Sequence, residues 1–262
     1  MGGLNAAGFR KIFWGALALL VYRVIRSSLL GTALGLSMQS ATFTIPLSTL
    51  SEGPYWEALS VLLGCLHVLA IVMLINGLGE AYEDCRDFAL CRSWCIAQLL
   101  CAAASILLDG VYVALNNRGL PLENMGSLYL VYMVLISVLE IGCFFVTSWM
   151  SGRHLLAGFR QLCYDCGGSA KSSRNIEIIG RFLAVSAAGM ISGGGIAVIC
   201  ALIVNPFAPS VPENYTGPQF LLRLMNFGLL LLAVSTALRM LVHLRIILSA
   251  YRAARTVAIL SD

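Results

Sequence analysis

Charge is scarce in this sequence. Of its 262 residues, 11% are Asp, Glu, Lys or Arg and 59% are hydrophobic, against about 25% and about 45–50% in ordinary soluble domains. That balance excludes a soluble globular domain. A bilayer core about 30 Å thick takes about 20 apolar residues per helix, so the chain has room for six such helices and short connections. Catalytic signatures are missing as well. There is no P-loop, no His-Glu-x-x-His, no Gly-x-Ser-x-Gly and no Ser-His-Asp set in the polar segments. Paired mid-span histidines, which a b-type haem would need, are absent. The first apolar run is followed by Arg23 and Arg26 instead of a small-residue cleavage site, so no cleavable leader is expected. Ala6 stands where a myristoylation motif wants Ser or Thr. The formal charge of +4 is too small and too scattered for nucleic acid.

What is present is apolar runs joined by polar segments. The pattern predicts an all-α integral membrane bundle of six transmembrane helices in a single domain, 1–262. The expected spans are about 27–50, 55–78, 92–115, 128–150, 178–204 and 219–242. Before the first span, Ile12–Tyr22 is flanked by Arg10, Lys11, Arg23 and Arg26. The run is too short to cross alone, so residues 1–26 read as an interfacial or re-entrant segment anchored by Trp14 and Tyr22, or as the opening of a longer first helix. The expected polar loops include 79–91 and, longest of all, 151–176. Residues 205–218 hold four prolines and cannot be helical throughout.

Six spans place the N-terminus, 79–91, 151–176 and the segment after 242 on one side, with nearly all the Lys and Arg of the connections. The opposite connections carry Arg118 alone. By the positive-inside rule both termini are expected in the cytoplasm of a cell with this protein in its plasma membrane. The opposite connections also lack Cys, although the chain has nine, which puts the loop thiols on the reducing side.

Glu140 lies near the middle of the apolar run Leu128–Met150. An ionisable group at bilayer depth is costly and by default faces the bundle interior. Ser137, Thr147 and Ser148 form a thin polar stripe with it. His67 lies near the middle of the second span. In the third span Gln98, Ala102, Ser105, Asp109 and Tyr112 share one helical face. Two readings follow: the favoured one is a neutral Glu140 that hydrogen-bonds a neighbour and holds helices in register; in the other, His67, Asp109 and Glu140 line one interior cavity as a proton or cation pathway. Ser192-Gly193-Gly194-Gly195 reads either as close helix packing, with Gly189 and Gly193 as a small-residue pair, or as a helix break. Cys163-x-x-Cys166 is a lone pair on the basic side, open to zinc, redox or no role. Asn214-Tyr215-Thr216 is a glycosylation sequon.

The opening Gly8-Phe-Arg-Lys-Ile-Phe-Trp-Gly15 and the stretch Leu50-Ser-Glu-Gly-Pro-Tyr-Trp56 resemble uncharacterised small multi-pass membrane proteins of Firmicutes. The likeness covers about the first quarter of the chain. Arg26-Ser-Ser-Leu-Leu30 stands where those proteins carry Leu-Pro-Asp. The resemblance implies a bacterial plasma membrane and hands over no site residues.

These readings lead to an expected function. The protein is a non-enzymatic accessory or regulatory membrane subunit, without cofactor or metal, whose surroundings are the lipid bilayer and a partner membrane protein or second copy. The alternative is a small secondary transporter or channel with a proton- or cation-coupled pathway through Glu140.

Overall fold

The computed structural model describes residues 4–39, 54–82, 84–120, 126–139, 145–166, 170–204 and 219–261. Apolar sequence with few helix breakers gives helix almost throughout, as every backbone polar group in lipid must be satisfied within its own segment. The helices are α1 Ala6–Gln39, α2 Pro54–Ala81, α3 Arg86–Asn117, α4 Ser127–Ser137, α5 Phe145–Asp165, α6 Ala170–Val204 and α7 Gln219–Ser261. Four stretches are long and apolar enough to cross a membrane: Leu62–Ala81, Arg86–Tyr112, Ser173–Ile196 and Arg223–Ile259. They overlap the second, third, fifth and sixth expected spans.

Elsewhere the expected boundaries move. Residues 6–39 form one continuous helix, so the N-terminal segment is not a separate interfacial or re-entrant piece. Its face of Phe9, Ile12, Ala16 and Leu19 is buried in the core. The expected first span continues this helix as far as Gln39, and 40–50 lies outside the described residues. The fourth span is represented by α4 and the start of α5, with 140–144 between them outside the described residues. The expected loop 151–176 is mostly helix, with only 166–169 left between α5 and α6. Its Arg153 and Arg160 are exposed while Leu155, Leu156, Phe159 and Leu162 are buried, the helical spacing of an amphipathic face. The 79–91 loop shrinks to the few residues between Ala81 and Arg86. The segment 243–261 continues α7.

Six helices close a ring. α1 packs on α2, α2 on α3, α3 on α5, α5 on α6, α6 on α7, and α7 returns to α1. α4 touches only α3 to any extent. Two contacts in the ring are backbone to backbone. A Cβ on Gly8 would lie 2.4 Å from the Ala81 nitrogen, and one on Gly193 would lie 2.6 Å from the Gly228 carbonyl oxygen. Glycine is what lets α1 approach α2 and α6 approach α7.

Two helices are longer than a bilayer core is thick. α7 has 43 residues and α6 has 35, about 65 Å and about 52 Å at 1.5 Å per residue. The overruns meet at one end. There the Asn5 N–H donates to the Ala81 carbonyl at 3.1 Å, and Lys11 pairs with Glu80. The Tyr82 hydroxyl donates to Asp165 at 3.2 Å. Phe13 on α1 meets Tyr251 on α7 at 5.9 Å. The four segments that the charge rule assigns to one side therefore lie at one end of the bundle. The core of that end is a cluster of Phe9, Phe88 and Phe159, with Phe88 edge-on to both partners at 6.1 and 5.7 Å, favourable ring geometry.

Away from that end the surface turns apolar. On α7, exposed Arg245 and Arg223 bracket exposed Leu241, Val234, Leu230 and Phe227. The two arginines are about 33 Å apart along the helix, close to the thickness of a bilayer core. Above Arg92 on α3 the exposed residues include Ile96, Leu100, Ile106 and Leu107. Above Arg181 on α6 they include Phe182, Val185, Ile191 and Ile199. An apolar belt thus surrounds the half of the molecule away from the shared end.

Candidate functional site

Within the ring lies a small, partly open cavity to which each of its six helices contributes. α1 supplies Ala16, Leu19 and Arg23, α2 Leu74, α3 Cys91, Cys95 and Gln98. α5 supplies Ser148, Ser151, Gly152 and Leu155, α6 Leu183, and α7 Arg239, His243 and Ile246. Most of the wall is apolar, as hydropathy dictates for inward faces of such helices. Of the polar exceptions, Arg23, Ser148, Arg239 and His243 are joined by hydrogen bonds.

Arg23 Nη2 and Arg239 Nη2 both donate to Ser148 Oγ, the latter at 2.8 Å. Arg23 Nη1 lies 3.1 Å from His243 Nδ1. A guanidinium has only donors, so Nδ1 accepts and the imidazole is neutral with its proton on Nε2. Arg239 and His243 are one helical turn apart on α7, which is why one face presents both. Arg239, His243, Ser148 and Gln98 are buried, and Arg23 is partly so.

Two cations thus converge on one hydroxyl. At 4 Å two like charges repel by about 4 kcal/mol at an effective dielectric of about 20. Among the described residues no carboxylate pairs with either arginine. The ion pairs there are Lys11–Glu80, His154–Asp87, Arg160–Glu177 and Arg181–Glu177, all toward the shared end. Arg239 lies six residues, about 9 Å, inward of exposed Arg245, so the cluster sits inside the apolar belt.

Of the three expected site residues, His67 alone has a described side chain. His67 is buried on α2 and stacks on Tyr22, with ring centroids 4.2 Å apart and planes 5° from parallel. Tyr22 adjoins Arg23 in the chain, but His67 is not on the cavity wall. Asp109 belongs to α3, about 16 Å further along than Gln98, and its side chain lies outside the described residues. Glu140 lies outside them altogether. From the polar stripes of the sequence, Gln98 and Ser148 do reach the cavity.

Arg23, Arg239 and His243 were missed. Arg23 read as the basic flank of a short run, but it is deep within the continuous α1. Arg239 and His243 carried a usable signal: a basic residue and a histidine four apart in an otherwise apolar stretch point to a polar interior face.

The remaining motifs resolve more simply. Gly193, Gly194 and Gly195 lie within the unbroken α6, and Gly193 contacts α7 while a Cβ on Gly194 or Gly195 would meet nothing among the described residues. Close packing is therefore the use of Gly193. Cys163 and Cys166 are free thiols at the end of α5. Among the described residues no three His, Cys, Asp or Glu side chains gather as a metal set. The sequon at Asn214 lies outside the described residues. At the shared end, Arg160 Nε donates to Ser173 Oγ at 3.2 Å, and Ser173 donates to the Tyr164 hydroxyl at 2.8 Å. The Ser173 hydrogen bond, reinforced by Arg160, lowers the Tyr164 pKa. Burial, with Asp165 as hydrogen-bond partner, raises that of Tyr82. Burial also raises that of the Cys85 thiol.

No family model matches the chain, and no curated protein or solved structure is significantly similar to it. Function must therefore be argued from the cluster itself. Chemically, the cluster is a set of hydrogen-bond donors with positive charge in a water-poor interior. It suits an anion and repels a cation.

Proposed function

We propose that the protein is a six-span membrane carrier or channel for an anion. The apolar belt lies in the bilayer, and both ends of the chain lie on the cytoplasmic side with the shared end of the bundle. The supporting observation is the convergence of Arg23 and Arg239 on Ser148 inside the ring, with no carboxylate partner among the described residues. Buried charges are retained at such cost where they meet a ligand or mark a pathway. This keeps the transporter class of the sequence reading and reverses the sign of its cargo, since two guanidiniums oppose a cation at the same point.

Reconstitution into vesicles tests it. The wild type should pass chloride or another permeant anion down its gradient and exclude sodium and potassium. Arg239→Gln should lower that flux by at least about tenfold, the equivalent of about 1.4 kcal/mol of lost interaction. Glu140→Gln should leave the anion selectivity in place. Cation flux abolished by Glu140→Gln would restore the original pathway and refute this one.

The accessory-subunit reading has one observation in its favour. Among the described residues, nothing lies where a Cβ on Gly194 or Gly195 of α6 would point, which suits close approach of another helix. A stoichiometric partner recovered on gentle purification from native membranes, together with no flux from the protein alone, would favour it.

A further inference from the structure

Resting on the anion reading above, we infer that His243 couples the anion to a proton. The imidazole takes a proton when the anion enters the cluster and gives it up when the anion leaves, so the two cross together. A device coupled in this way is a carrier and not a channel.

First, the contact that His243 now makes is one that a proton forbids. Arg23 Nη1 lies 3.1 Å from His243 Nδ1, and a guanidinium can only donate. Protonation would put a hydrogen on Nδ1 and leave two donors facing each other. The contact must then break, and both groups need a new acceptor. An anion is an acceptor for both.

Second, the same guanidinium serves the shared hydroxyl. Arg23 Nη2 and Arg239 Nη2 both donate to Ser148 Oγ. Arg23 is thus the link between His243 and the point where the two cations meet. An anion that draws Arg23 toward itself frees Nδ1 for the proton, and a proton on Nδ1 frees Arg23 for the anion. Such coupling is reciprocal.

Third, the charges around His243 lack a counter-charge. On the cavity wall α1 presents Arg23, and α7 presents Arg239 one turn from His243. α3 presents the thiols of Cys91 and Cys95, and α5 presents hydroxyls. α2 and α6 present only Leu74 and Leu183. Among the described residues no carboxylate faces the imidazole. A proton there is a third positive charge beside two, and a monovalent anion is the missing counter-charge. One anion with one proton leaves the charge of the site as it was. The path to water is short, because His243 lies two residues, about 3 Å, inward of exposed Arg245 at the edge of the apolar belt. Histidine is also the side chain that ordinarily changes charge near neutral pH.

Vesicles holding the full-length protein test the coupling, with the voltage clamped by potassium and valinomycin. Inward gradients of chloride, nitrate and phosphate are imposed in turn. A trapped dye reads the internal pH, and protein-free vesicles give the leak. With an anion that it carries, the wild type should acidify the lumen as the anion enters. Its apparent affinity should rise about tenfold per unit fall in external pH while His243 is mostly neutral, the slope of one proton per anion. His243→Gln offers Arg23 a carbonyl acceptor and takes no proton. It should carry the anion with neither acidification nor a pH slope. His243→Asn, with the same amide on a shorter arm, is the second variant.

Anion flux in the wild type at constant internal pH overturns the coupling and leaves the anion reading standing, whether or not either variant folds. A pH slope that survives in His243→Gln also overturns it, since Cys91, Cys95 or Glu140 would then hold the proton. No flux of any anion refutes the anion reading and the coupling with it.

Discussion

Two neighbouring glycines on α6 should respond to the same substitution with opposite signs. In Gly193→Ala the new Cβ would lie 2.6 Å from the Gly228 carbonyl oxygen and 2.7 Å from the Leu232 nitrogen on α7. Ordinary contact begins near 3.4 Å, so α6 and α7 must part by about 0.8 Å. The opposing atoms are backbone, so no side chain can swing away. Overpacking of this kind costs about 1–3 kcal/mol, partly offset by the helical gain of about 1 kcal/mol on replacing Gly with Ala. Gly194→Ala meets nothing within 4 Å among the described residues and keeps the whole gain. With about 2 kcal/mol between the two variants, and about 2–4 °C per kcal/mol in a chain of this size, their melting temperatures should differ by about 4–8 °C. Thermal unfolding in one detergent measures both. Equal melting temperatures, or Gly193→Ala the more stable, would refute the α6–α7 contact and with it the closure of the ring beside Arg239.

Phe88→Ala removes a fully buried ring that touches Phe9 and Phe159, and should cost about 3–5 kcal/mol in unfolding assays. A membrane-impermeant maleimide should label Cys163 and Cys166 only when it has access to the cytoplasmic side, and Cys85, Cys91 and Cys95, which are buried, only after unfolding; labelling of the pair from the outside would invert the topology. In an alkaline titration followed by tyrosinate absorbance, Tyr164→Phe should remove a step below the ordinary tyrosine value and Tyr82→Phe one above it. The depressed Tyr164 pKa means the folded state gains stability as pH rises from the folded toward the unfolded value, and the raised Tyr82 pKa means it loses stability as pH rises from the unfolded toward the folded value.

Hydropathy made most of the fold legible, because bilayer thickness imposes a length that any sequence must meet. It could not show where helices continue past the bilayer. The stretch 151–165 was counted as a loop because Arg153 and Arg160 dominate its composition, yet Leu155, Phe159 and Leu162 recur at helical spacing and are buried. The same habit hid Arg23, which looks like a flank when α1 is cut at residue 26. At the site, the polar stripes of the third and fourth spans correctly contributed Gln98 and Ser148. A carboxylate in an apolar run suggests a proton path, which a base does not. Arg239 and His243 were as anomalous in their run as Glu140 in its own. What no single run reveals is convergence: Arg23 and Arg239 are more than two hundred residues apart, and only closure of the ring through α1 and α7 brings both to Ser148.

The most direct measurement is the thermal stability of Arg239→Glu beside the wild type and Arg239→Gln, in halide-free buffer. A carboxylate at 239 would give Arg23 the counter-charge that the described cluster lacks. Arg239→Glu should therefore melt above Arg239→Gln and no lower than the wild type. If an acid already neutralises Arg239, the new carboxylate would face a like charge, and leaving that partner unpaired would cost about 3–5 kcal/mol. Arg239→Glu melting far below Arg239→Gln would contradict the account.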